Sequence, residues 1–140
     1  MRRIILVAAG ITLTAACVKT SATVLNPSAQ HAPICPEGVQ LFTSIDKVGK
    51  EFHEVAVLTS KGDGDWTSEE GMANSQRKKA AKLGANGVIL GDQKDPSTGA
   101  KIAKAFLGTS ANRKGQSVAI YIPADSVRVQ QACADKVASQ

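Results

Sequence analysis

Aromatic side chains are scarce in this chain, at 4% of 140 residues, with a single Trp and a single Tyr. A core with so few rings must be built mainly from Val, Ile, Leu and Ala, and a hydrophobic content of 43% is enough for one small domain. No apolar run reaches the ~20 residues that a membrane-spanning helix needs. The two histidines form no H-E-x-x-H pair, and the three cysteines contain no C-x-x-C. These absences remove the usual zinc-hydrolase and dithiol-redox patterns. G-x-S-x-G, P-loop and dinucleotide fingerprints are also missing; Gly108–Gly115 contains glycine and arginine but does not match a phosphate loop. The reading is therefore of a non-enzymatic protein with no cofactor and no resident metal.

What is present begins at the N-terminus. Arg2 and Arg3 form a positive n-region, and residues 4–16 are uncharged and mostly apolar, the length of a signal-peptide h-region. Ala15 and Ala16 precede Cys17, and charge resumes at Lys19. Small residues directly before a cysteine resemble the bacterial lipoprotein signal. The match departs at Thr14, where that signal usually has Leu; Leu13 stands one step early. The resemblance implies cleavage before Cys17, which becomes a lipidated N-terminus. Two or three acyl chains hold a protein stably in a bilayer, whereas one holds it marginally. Val18 after the cysteine, rather than Asp, implies the outer membrane facing the periplasm. Two alternatives stay open: an uncleaved N-terminal anchor, and ordinary cleavage, for example after Ala22, which leaves a soluble periplasmic protein.

Once Arg2 and Arg3 leave with the signal, the 17 basic residues fall to 15 against 12 acidic ones. This mild excess and the envelope address exclude nucleic acid as a partner and suit solubility or contact with anionic lipid. With Cys17 lipidated, Cys35 and Cys133 remain as an even pair in an oxidising compartment, and a disulfide is expected to tie the start of the domain to its last helix. Two buried free thiols are the alternative.

The organisation reads as a signal peptide over 1–16, a lipidated N-terminus and flexible tether over 17–34, and a small domain over 35–140. Residues 18–34 carry Ser, Thr and two prolines without periodicity. Strands are predicted at 39–44, 54–60, 88–90 and 117–123. The run at 54–60 is apolar on both faces, as an interior strand is. A helix over 67–83 follows from a Thr67–Glu70 capping box, acidic residues first and basic residues last. Met72, Ala73, Ala80 and Leu83 form its buried stripe, and Gly84 ends it. The strand after this helix is expected to lie parallel beside the strand before it. A short helix is read over 102–107, and a C-terminal helix to about Ala138 with Val129, Cys133 and Val137 inside. The fold class is α+β: two layers, with a roughly four-stranded mixed sheet packed by one main helix and a C-terminal helix.

The segment Lys78 to Leu90 (KKAAKLGANGVIL) resembles one in YbjQ-like domains and in envelope lipoproteins similar to the Rcs stress-sensor lipoprotein. The match covers about a tenth of the chain and names no catalytic residue. It implies a small α+β domain, and the stress-sensor branch implies an envelope protein partner. Asp63, Asp65 and Trp66 mark one side of a possible binding surface, and Lys78, Lys79 and Lys82 the other. The acidic group lacks the Gly and Glu of a calcium loop, so turn and helix N-terminus chemistry accounts for it. The helix lysines, with Lys101, Lys104, Arg113 and Lys114, could face lipid headgroups or an acidic partner. The leading function is an envelope lipoprotein held to membrane lipid through Cys17; the alternative is a soluble periplasmic ligand- or metal-sensing module.

Overall fold

A computed structural model describes residues 18–28, 31–63, 67–94 and 112–139. Cys17, Asp65, Trp66 and the helix expected over 102–107 lie outside the described residues. The strands are β1 (Lys19–Val24), β2 (Gln40–Phe42), β3 (His53–Asp63), β4 (Gly87–Lys94) and β5 (Asn112–Tyr121); the helices are α1 (Glu69–Lys82) and α2 (Ser126–Ala138). The fold is α+β, with one mixed five-stranded sheet in the order β1-β3-β5-β4-β2.

The fifth strand comes from the stretch expected to be a tether. Lys19–Val24 alternates exposed and half-buried residues and pairs antiparallel with β3, from Lys19 opposite Lys61 to Val24 opposite Ala56. Polar Ser and Thr hid this strand, because an edge strand buries only part of one face. Thr20 Oγ1 lies 2.6 Å from Ser75 Oγ on α1, which fastens the start of β1 to the helix. The strands flanking α1 also differ from expectation. β3 and β4 run the same way but are not neighbours; β5 lies between them, antiparallel to both. The local β-α-β pattern specifies direction, but not whether a third strand enters between.

α1 covers one face of the sheet. Met72, Ala73, Ala80 and Ala81 are buried, and small side chains let the helix lie close to Ala56, Leu58, Val88 and Ala119. Leu83 is only half-buried, and Gln76 is fully buried in the stripe. Its Nε2 donates to Ser60 Oγ at 2.8 Å, and Ser60 Oγ donates to the Gly115 carbonyl at 3.2 Å. The N-cap falls one residue later than the capping box places it: Ser68 Oγ accepts from Gly71 N–H at 3.0 Å, and Thr67 is buried instead.

The end of α1 explains why Leu83-Gly84-Ala85-Asn86-Gly87 is so specific. Gly84 has φ +73°. Ala85 N–H donates to the Ala80 carbonyl and Gly84 N–H to the Ala81 carbonyl, which is the Schellman closure. A Cβ on Gly84 would also stand 2.6 Å from the His31 backbone. Asn86 is buried and its amide acts as an extra strand residue: Nδ2 donates to the Ile122 carbonyl at 2.8 Å, and Oδ1 accepts from Ile122 N–H at 2.7 Å. The motif is thus a helix stop followed by a side-chain clamp on the end of β5.

On the opposite face Phe42, Val48, Ile120 and Ile122 form a second cluster, with Phe52, Ile89 and Val118 beside it. The connection from β2 to β3 supplies Val48 and Phe52, so it covers one end of that face. α2 buries no residue and rests on the turn Pro36–Gly38, to which Cys35–Cys133 joins it. Val137, expected on the inner side of α2, is 76% exposed, because this helix does not lie across the sheet.

Candidate functional site

The uncovered part of the second face carries the features that packing does not explain. Pleating sends Val57, Thr59 and Lys61 of β3, and Val118, Gln116 and Lys114 of β5, to the side away from α1. Ile89 of β4 joins them. All of these except Lys61 line an open groove of about 520 Å³. Its floor is graded along the strands. Half-buried Val57, Val118 and Ile89 lie next to the second apolar cluster, Thr59 and Gln116 follow, and lysines end the series.

Those lysines are in register. Lys19 stands opposite Lys61, and Lys61 opposite Lys114. Directly opposite residues share a face with Cβ atoms about 5 Å apart, so three cations form a row across three strands. All three are exposed, and none forms a salt bridge with a described residue. Lys94 occupies the next register position, opposite Lys114.

The far end of the sheet is arranged otherwise. Asp125 is only 3% exposed and accepts from Arg128 Nε at 3.0 Å and from Lys50 Nζ. Burial alone would push its pKa up, but these hydrogen bonds and charges outweigh it and hold the carboxyl below its usual range. Arg128 also donates to the Asn86 carbonyl at 3.3 Å. Glu37 pairs with Lys136 at 2.9 Å, and that hydrogen bond lowers its pKa. These contacts tie α2 to the turn at Asn86 and to Pro36–Gly38.

The sequence-nominated surface is not one site. Asp63 is half-buried at the end of β3, beside the start of α1, while Lys78, Lys79 and Lys82 sit near the end of α1. At 1.5 Å per residue the helix separates the two groups by about 15 Å or more. Lys78 and Lys82 are exposed and Lys79 is half-buried. Cys35 and Cys133 meet as a disulfide-capable pair, with Cα atoms 5.6 Å apart. His31 stacks on Tyr121, with ring centroids 3.7 Å apart. Among the described residues no group of three or more His, Cys, Asp and Glu is placed to hold a metal ion, and no helix is long and apolar enough to cross a membrane. Sequence reading missed the row Lys19–Lys61–Lys114 because it placed these residues in a tether, a turn and a glycine-rich loop. Only strand register brings them together.

The fold defines the class: a small α+β protein with a split β-α-β unit and an added edge strand. No protein-family model matches the chain, and no curated protein does. It is similar in fold to a Francisella virulence factor, FvfA, known from a crystal structure in an orthorhombic form. The identity is 13%, the match covers 73% of this chain and 96% of that chain, and the TM-score is 0.51. At that identity the likeness is one of fold alone.

Proposed function

We propose that this chain is a non-enzymatic bacterial envelope lipoprotein, anchored through lipidated Cys17 on the periplasmic side of the outer membrane, whose domain binds a partner at the envelope. The observation that carries the reading is the position of β1. Cleavage before Cys17 keeps all of this strand. Cleavage after Ala22 would remove Lys19 to Ala22, most of its six residues, together with the Thr20–Ser75 contact. The lipoprotein cut therefore respects the fold, and the competing cut breaks it. The resemblance of Lys78–Leu90 to envelope stress-sensor lipoproteins supports partner binding as the role of the domain.

The test is metabolic labelling with an alkynyl fatty acid, with membrane fractionation. The wild-type chain is expected to label and to stay with the membrane, and Cys17→Ala to lose the label. An unlabelled wild-type protein in the soluble periplasmic fraction would overturn the proposal. The groove favours one second reading, a soluble ligand-binding module. That reading requires a ligand that raises the thermal midpoint by binding the native state.

A further inference from the structure

We propose that the row Lys19–Lys61–Lys114 is a membrane-docking surface that sits on anionic phospholipid headgroups and fixes how the domain stands on the bilayer. The inference rests on lipid attachment at Cys17, and it specifies an orientation that attachment alone does not require.

Three observations carry it. The first is connectivity: β1 begins at Lys19, and two residues of chain reach at most about 7 Å. An acyl group on Cys17 therefore brings this end of the sheet to the headgroups, with no tether long enough to carry it away. Ser75 on α1 holds the segment from both sides, through Thr20 Oγ1 and the Val18 carbonyl, so the first residues of the fold do not swing freely.

The second is charge. Like charges directly opposite one another in a sheet destabilise it. Here three stand side by side, exposed, without a salt bridge to a described carboxylate. Asp63 lies two residues beyond Lys61 on the same face of β3, and the row remains cationic overall. A row of opposite charge outside the protein offsets that repulsion, and headgroup phosphates close to the anchor supply one. The third is contrast. At the far end of the sheet Lys50, Arg128 and Lys136 each have a carboxylate partner, whereas no member of the row beside Cys17 has one among the described residues.

The test attaches the chain to vesicles through residue 17 without requiring acylation in the cell. With Cys35 and Cys133 bonded, the chain from Cys17 onward, which holds every element of the described fold, has one free thiol. That thiol is coupled to maleimide-bearing lipid in vesicles of phosphatidylcholine alone, or of phosphatidylcholine with a minority of phosphatidylglycerol. Reaction of each lysine with an amine-labelling reagent is then read by peptide mass spectrometry. On the anionic vesicles, labelling of Lys19, Lys61 and Lys114 is expected to fall at least about fivefold relative to neutral vesicles, the factor that one lysine near an anionic surface is worth. Lys78 and Lys82 should be unchanged, and added salt should restore labelling of the row. Lys61→Gln should weaken the protection of Lys19 and Lys114.

Equal labelling on both kinds of vesicle would overturn the proposal. Protection spread evenly over the row and the α1 lysines would do the same, as would a row that crosslinks in cells to an acidic protein while showing no lipid dependence. Because the anchor is supplied chemically, failure here is separate from failure of fatty-acid labelling at Cys17.

Discussion

The two ends of the sheet solve opposite problems. Where β5 runs out into α2, buried Asp125 is matched by Lys50 and Arg128, exposed Glu37 by Lys136, and Asn86 satisfies both backbone groups of Ile122. Where β1 begins, three lysines confront one another beside an open groove. The first end holds the helices, the turn and the disulfide together. The second keeps a repulsion that folding alone would remove. Stability and interaction are therefore divided between the ends, and perturbing each should give different signatures.

The largest effect is expected at the closed end. Cys35 and Cys133 are 98 residues apart, and α2 buries no residue of its own. Cys133→Ser should lower the unfolding free energy by about 4–5 kcal/mol in the chain-entropy model. Denaturant titration with and without reductant measures this, and hydrogen exchange should show α2 loosened first. Asn86→Ala comes next. It leaves the buried N–H of Ile122 without a partner, at about 1–3 kcal/mol, and takes one donor from the C=O, which keeps Asp125 N–H, so a loss of about 2–3 kcal/mol is expected by the same titration.

Asp125 gives a smaller effect with a pH signature. Its folded pKa lies below the ordinary carboxylate value, so its stabilisation is fully present above that value, near pH 4. It is lost as the pH falls through the folded pKa. Asp125→Asn should cost about 1–2 kcal/mol at neutral pH, a figure discounted because Lys50 and Arg128 are partly exposed. The variant should also show a shallower loss of stability below pH 4. The smallest effect has the opposite sign: Lys61→Glu, flanked by Lys19 and Lys114, should stabilise the protein by about 0.5 kcal/mol. A destabilised Lys61→Glu would break the division between the ends.

How much was legible in the sequence follows the same division. The closed end was readable where the signal is local. Gly84 announces the helix stop, the apolar runs at 54–60 and 88–90 fall within β3 and β4, and the run at 117–123 covers the last part of β5 and two residues beyond it. Asn86 reads as a turn residue because its partner, Ile122, is 36 positions away. The helix stripe was legible in its small residues and not in Gln76, whose burial depends on Ser60 across the interface. The insertion of β5 between β3 and β4 leaves no local mark, since long-range pairing is decided by the whole sheet. β1 was hidden by hydroxyl residues that serve an edge strand and a loop equally well. The lysine row could not be seen at all without register, because its members are 42 and 53 residues apart in sequence.

The most direct test of the account is the intact mass of the protein purified from membranes without reductant. The account predicts a chain beginning at Cys17 that carries diacylglyceryl and amide-linked acyl mass, with β1 entire. An unmodified chain beginning at Thr23 would contradict it, because that protein would have neither the anchor nor most of the strand that brings Lys19 into the row.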